Sequence, residues 1–350
     1  MGQSTRSAAT MQDVASLAGV SVKTVSNVLS EYEHVSPKMR ARVMTAVEAL
    51  EYKINVSARN LRVGRTHVVG LAIPELSQAY FAELADAVIR AAGERGYTVL
   101  IEQTVAETSS EISAVAAMRK HSIDGLIYSP LTISPADINQ LNIDFPVVVL
   151  GERVPGSLAD HVTMSNAEAT RAATTHVLEL GRRRIAVVGV QPDGPVGTAA
   201  SRLRGYEQAL AANGIDPDPA LLVATSLWHR ANGVDAVDRL IATGVDFDAV
   251  VCFNDALALG ALRALKRHGL RVPEDVILVG FDDIEDSLYS TPSLTTISPR
   301  RDDIAREAIN LLIDRIEGSA PSADAREVET GFALIIRESS VSPVSPWSEV

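Results

Sequence analysis

Three hundred and fifty residues, 46% hydrophobic and 22% charged, describe a soluble globular chain long enough for two or three domains and a sizeable core. No run of 18 apolar residues is present to span a membrane, and the first residues lack the apolar core of a signal peptide. The single cysteine, Cys252, excludes an internal disulfide framework or a cysteine-rich zinc site, so the expected location is the reducing cytoplasm. A net charge of −12 argues against a nucleic-acid binder until it is divided along the chain: residues 1–65 carry nine Lys and Arg against five acids, and the rest carries 23 against 39. A small basic head on an acidic body is the implied layout.

In the head, Thr10 followed by Asp13 is a capping signature for a first short helix with Val14, Leu17 and Ala18 on its apolar side. Gly19 ends it, and Ser21 caps a second helix from Val22 to about Ser30. Ser36-Pro37 starts a third, with Met39, Val43, Val47 and Leu50 as its buried stripe. Three short helices in this order, the first two joined by a tight turn, make a helix-turn-helix. In such a unit the second helix enters the DNA major groove. Val25, Val28 and Leu29 face inward, while Lys23, Ser26, Asn27 and Ser30 share one outward face. Lys donates to guanine, Asn pairs with adenine and Val22 suits a thymine methyl. Ser21, Thr24 and Ser36 are placed to hold phosphates. A solvated interaction module is the plainer alternative.

Residues 55–64 are short, basic and carry an isolated Leu61. They read either as a flexible linker or as a helix that orders in the minor groove with Leu61 as a wedge.

From residue 66, apolar runs at 68–73, 98–101, 125–128, 147–150, 185–189, 249–253 and 276–281 alternate with helix-period segments, and an eighth run lies near 332–336. Unbroken Val- and Ile-rich runs are how strands buried on both faces of a parallel sheet read, so a doubly wound α/β body is predicted. The β-α series restarts after Gly151, which favours two similar lobes with a ligand cleft at the strand ends. Polar residues after these strands are Glu75, Glu152, Arg153, Asn254, Asp255, Asp282 and Asp283. Catalysis is not expected. Residues 189–194 lack the Lys-Ser/Thr of a phosphate loop, no G-x-G-x-x-G follows the first strand, and the seven histidines show no metal-ligand spacing, so neither cofactor nor metal is implied.

Many spaced strings together resemble the LacI/GalR (lactose-repressor) family of bacterial transcription factors. They include Met11-Gln12-Asp13-Val14-Ala15, Ala18-Gly19-Val20-Ser21, Thr24-Val25-Ser26-Asn27-Val28-Leu29, His34-Val35-Ser36-Pro37 and Asn55-Val56-Ser57-Ala58-Arg59-Asn60-Leu61. In the body, Gly70-Leu71-Ala72-Ile73-Pro74, Arg202-Leu203-Arg204-Gly205-Tyr206, Phe253-Asn254-Asp255-Ala256, Val279-Gly280-Phe281-Asp282-Asp283 and Leu294-Thr295-Thr296-Ile297 follow in the family order. The resemblance implies an all-α helix-turn-helix head (10–54), a hinge helix (55–65) and a two-lobed α/β effector domain of the periplasmic-binding-protein type (66–340), then a tail (341–350). One lobe would span 66–164 and 298–328, the other 165–297 and 329–340. It further implies a homodimer on a pseudo-palindromic double-stranded operator and a small-molecule effector, most simply a sugar. DNA contacts would come from Val22, Lys23, Asn27, Ser21, Thr24 and Ser36, with Asn55, Ala58 and Leu61 from the hinge.

For the effector, Arg202, Asp282, Asn254 and Trp228 match positions lining the family's cleft. Tyr80 and Phe81 open the nearby helix, and Glu75, Thr198 and Glu152 complete the candidate set. Carboxylate, amide and guanidinium groups beside an aromatic platform suit a polyol; the Tyr80-Phe81 pair leaves a nucleoside or purine as the alternative. Asn27 stands where many members have arginine, and Gly151 where the lactose repressor has an aspartate. The short Ser/Pro tail after Arg337 has no leucine heptads, so a dimer is expected rather than a tetramer. A solute-binding protein with an incidental N-terminal extension is the competing reading.

Overall fold

The computed structural model describes residues 9–30, 32–52, 65–105, 107–131, 145–152, 159–191, 197–319 and 324–341, and divides into two compact units, Met1–Thr66 and His67–Val350. In the first unit, α1 (Met11–Ala18) begins with a reciprocal cap. The Asp13 amide donates to Thr10 Oγ1 at 3.3 Å and the Thr10 amide donates to Asp13 Oδ2 at 2.8 Å. It ends at Gly19, whose φ of +62° is costly for any side chain but free for glycine. Ser21 caps α2 (Val22–Leu29) by accepting from the Thr24 amide, and Ser36 caps α3 (Pro37–Ala49) by accepting from that of Met39.

Val14, Ala15, Ala18, Val25, Val28, Val43, Ala46 and Tyr52 form the core of this unit. Leu17 departs from expectation at 56% exposure. The buried stripe of α1 runs through Val14, Ala15 and Ala18, and Leu17 lies roughly 100° round the helix from its centre. Arg42 donates to the Gly19 carbonyl at 2.9 Å and Arg40 to that of Val28 at 3.2 Å, satisfying carbonyls that helix ends leave unpaired. Two of the head's nine cations are therefore spent on holding its turns.

Among its described residues the second unit forms two six-stranded sheets. The first has the order β11-β5-β4-β3-β1-β2 and is parallel throughout, built from β1 (Val68–Ile73), β2 (Thr98–Gln103), β3 (Gly125–Tyr128), β4 (Val147–Leu150), β5 (Asp160–Met164) and β11 (Glu327–Thr330). The second has the order β12-β10-β9-β8-β6-β7. It uses β6 (Ile185–Val190), β7 (Leu222–Ala224), β8 (Ala249–Cys252), β9 (Ile277–Phe281), β10 (Thr295–Ser298) and an antiparallel edge strand, β12 (Ala333–Ile335). The chain passes between sheets three times, after Met164, after Ser298 and after Thr330.

α4 (Ala79–Glu94) and α11 (Arg301–Glu317) cover one face of the first sheet, and α5 (Thr108–Lys120) covers the other. On the second sheet, α6 (Asn166–Glu179) and α7 (Thr198–Ala212) share one face; α8 (Arg230–Ala242) and α9 (Asp255–Arg267) share the other. Both pairs touch through glycine. A Cβ on Gly260 would lie 2.0 Å from the Arg230 carbonyl oxygen, and one on Gly233 would lie 2.1 Å from that of Leu257. This backbone contact fixes the start of α8 against the start of α9, and residues at both starts line a cleft between the lobes.

Candidate functional site: a DNA-reading face and a cleft between two lobes

On α2, Lys23 and Ser30 are exposed and Ser26 and Asn27 half-exposed, while Val25 and Val28 are buried. The outward face expected from the spacing is thus a solvent face of the head. Val22 is half-buried against the core. The Ser21 and Thr24 hydroxyls are 2.9 Å apart, and the acceptor sides of Ser21 and Ser36 are committed to their caps, which leaves a hydroxyl proton to donate. Asn55, Ala58 and Leu61 lie outside the described residues.

In the second unit, the loop after β1 and the start of α4 supply Glu75, Ser77, Gln78, Ala79 and Tyr80 to a cleft of about 260 Å³. The second lobe supplies His229, Arg230, Ala231, Asn254, Ala256, Asp282 and Ile284. Asp282 follows β9, 5% exposed, at a φ of +122°, a backbone that L-residues rarely adopt. Its amide donates to the Ile297 carbonyl, and Arg301 donates to the carbonyls of Asp282 and Asp283, so the strained turn is held from both sides. Its carboxylate makes no hydrogen bond or ion pair among the described residues. Burial pushes its pKa well above the ordinary value; Arg202 and Arg301 pull it down, while Asp255 and Glu83 add to the rise. A buried acid that lacks a donor is what a ligand hydroxyl would complete. The neighbouring Asp283 turns away and accepts from Arg337 at 2.6 Å, so the two acids do not form a catalytic pair.

Arg202 is 3% exposed, with its Cζ 3.5 Å from the Phe281 ring centroid and 5.4 Å from that of Trp228. Its Nε donates to Asn166 Oδ1 at 2.8 Å and one terminal nitrogen donates to the Phe253 carbonyl. Burial draws its pKa down against the nearby charges of Asp282, Tyr80 and Glu152. Glu152 accepts from the other end of the same amide, Asn166 Nδ2, at 2.7 Å. Glu152 and Asn166 thus orient the guanidinium, whose second terminal nitrogen donates to Met164 Sδ at 3.7 Å. Asn254 lines the cleft but is largely committed: its Oδ1 caps α9 at the Leu257 amide and its Nδ2 donates to the Trp228 carbonyl. Trp228 donates to the Gly189 carbonyl at 3.0 Å and meets Phe253 edge-on.

Tyr80 faces the cleft; burial and Asp282 raise its pKa. Phe81 meets Tyr80 edge-on and packs on the first-lobe core instead, and Thr198 opens α7 without lining the cleft. Three residues outside the predicted set shape the site: Asn166, His229 and Asp255. His229 Nε2 donates to Glu75 Oε2 at 3.0 Å across the lobes. Asp255, with no exposure, accepts from Thr296 Oγ1 (2.6 Å), Ser287 Oγ (2.7 Å) and the Ile284 amide (3.1 Å), tying down the loop that carries Asp282. Asp255 has a signal in the sequence as a polar residue directly after a strand; the partners of Asn166 and His229 are too distant in sequence to be read.

Residues 10–55 match the family described as bacterial regulatory proteins of the lacI family, and residues 174–340 match the periplasmic binding protein-like domain. The HTH-type transcriptional regulator AscG of Escherichia coli (strain K12) is 32% identical over 95% of this chain and 98% of its own length. The chain belongs to the LacI family of bacterial transcriptional regulators. Among solved LacI-type structures, the lac repressor dimer bound to operator and the anti-inducer ONPF matches with a TM-score of 0.84 at 26% identity, covering 95% of this chain and 99% of that one. The transcriptional regulator CelR in complex with cellobiose matches with a TM-score of 0.71 at 30% identity, over 95% and 100%. For this LacI-family chain, the helix-turn-helix head and two-lobed α/β body accord with the resemblance read from its motifs. Among the described residues no helix is long and apolar enough to cross a membrane, and no cluster of His, Cys, Asp or Glu could hold a metal.

Proposed function

We propose that this LacI-family regulator is a homodimeric repressor in which Lys23, Asn27 and Val22 read operator bases while a sugar binds between the lobes. The observation that carries the effector half is Asp282, a largely buried carboxylate with no hydrogen-bond donor among the described residues, in a cleft that both lobes line. The Tyr80 hydroxyl adds a donor in the same cleft; Arg202, oriented by Asn166 and charged towards Asp282, and Trp228 beside it support the site from behind the lining residues. Only Tyr80 of the Tyr80-Phe81 pair reaches the cleft, which offers a purine ring no aromatic sandwich and favours the polyol. CelR, solved with cellobiose, is a relative whose ligand has this chemistry. The DNA half rests on the Lys23–Asn27 solvent face of α2 and on Ser21, Thr24 and Ser36: the Ser21–Thr24 bond uses one of that pair's two hydroxyl protons, leaving the other and that of Ser36 for phosphates.

The test is a footprinting and anisotropy comparison on fragments upstream of the chain's own gene. Lys23→Ala and Asn27→Ala are each expected to lose roughly 1–3 kcal/mol of discrimination between the preferred base and its substitutes. Both should keep the wild-type sugar-induced rise in melting temperature. Unchanged base preference in both variants would remove α2 as the reading helix.

A further inference from the structure

Glu75 and His229 are 154 positions apart in sequence and belong to different lobes, yet their side chains meet at 3.0 Å over the cleft. Each half is prepared by its own lobe. Glu75 leaves β1 directly, its carbonyl accepts from the Gln78 amide, and its carboxylate accepts from Ser77 Oγ at 3.4 Å. His229 is the N-cap residue of α8; its ring makes no cap bond and is left to reach outward, while its carbonyl accepts from the Gly233 amide. Beneath it, the glycine contacts lock α8 to α9, and Trp228 is pinned by Gly189 and Asn254. The two side chains are 21% and 35% exposed, so water screens the pair less than an open surface pair. Neither residue has another ionic partner among the described residues, whereas neighbouring Arg230 is taken by Asp286.

Glu75 and His229 both line the cleft of about 260 Å³, from opposite lobes. Any parting of the lobes that widens the cleft at this rim breaks their bond. The lobes are joined by three chain crossings, which can hinge, whereas α8 and α9 move as one body with His229 attached. We infer that Glu75 and His229 are a latch that holds the lobes shut over the effector cleft and sets how readily it opens. The inference rests on the cleft being the effector site, but its test reads the lobes without any ligand.

Hydrogen–deuterium exchange of the full, ligand-free chain compares wild type with Glu75→Ala, His229→Ser, the double variant and the exchanged pair Glu75→His/His229→Glu. The His229 ring makes no cap bond, so serine, itself a good N-cap residue, removes the ring without taking a cap from α8. Each single variant is expected to exchange roughly tenfold faster at 75–82 and 228–233, as loss of one partly buried charged hydrogen bond implies. The double variant should exchange no faster than either single one, and the exchanged pair should return towards wild type. Strands β3 and β8 should be unaffected. Unchanged exchange in the single variants, additive effects in the double one, or acceleration that includes β3 and β8 would each overturn the latch. Failure of the sugar reading alone would leave these exchange rates as predicted.

Discussion

Asp255→Ala is expected to destabilise the protein by roughly 3 kcal/mol, because it strips the acceptor from three donors that have no water to turn to. Thr296 and Ser287 are wholly buried and Ile284 nearly so, and each donates to this one carboxylate. The loss also frees the β9–α10 connection (α10, Glu285–Tyr289), which carries Asp282 into the cleft, so sugar binding should fall with stability. The same group gives a pH dependence with a definite sign. Burial raises the Asp255 pKa to about 6, against the hydrogen bonds from Thr296, Ser287 and Ile284. Its contribution is fully present below the unfolded carboxylate pKa near 3.8 and is lost as pH rises through about 6. The full swing is about 3 kcal/mol at 1.36 kcal/mol per unit. Urea melts of wild type and Asp255→Asn across pH 4–7 should therefore show wild type losing ground to the variant as pH rises. A difference that stays flat over this window would show that Asp255 does not titrate there.

Asp160→Ala is expected to cost about 3–5 kcal/mol, the usual loss when one member of a buried ion network is removed. The Asp160 side chain has no exposure and accepts from Arg315 (3.0 and 2.7 Å) and from the backbone and side chain of Arg326 (2.8 Å from each). It thereby joins β5, α11 and β11, and β11 is an edge strand paired to β5. Burial alone would raise the Asp160 pKa, but the bonds from Arg315 and Arg326 outweigh it and hold the carboxyl below its ordinary value. Its stabilisation is therefore present above the unfolded carboxylate range and fades as pH falls, opposite to Asp255. Thermal melts at pH 7 and below pH 4 test both statements: the gap between Asp160→Ala and wild type should be wide at the first and narrow at the second.

How far the sequence discloses this fold depends on where each strand lies. β1, β3, β4, β6, β8 and β9 are buried on both faces and stand out as unbroken Val- and Ile-rich runs. β5 (Asp-His-Val-Thr-Met) and β11 (Glu-Val-Glu-Thr) carry charges and escape the apolar pattern, and β7 has three residues on an edge. The charge of Asp160 is tolerable in a strand only because Arg315 and Arg326 meet it from 155 and 166 positions away, which no local pattern reveals. The caps of α1, α2 and α3 are local and were fully legible; Leu17 was not, since eight residues give a helix phase little leverage. In the cleft, Asp282 is visible as an acid at the end of a buried strand. That Asn254 is spent on a cap, that Phe81 turns to the core and that Glu75 finds His229 are consequences of tertiary packing.

The claim on which the rest depends is that occupancy of the cleft changes the grip on DNA. The most direct measurement is operator affinity by fluorescence anisotropy at fixed salt, with and without a saturating sugar chosen for raising the melting temperature of the full protein. Couplings of this kind amount to about 1–3 kcal/mol, so the dissociation constant should move by about 5- to 150-fold, in one direction and reversibly. A sugar that stabilises the protein yet leaves operator affinity unchanged would contradict the account.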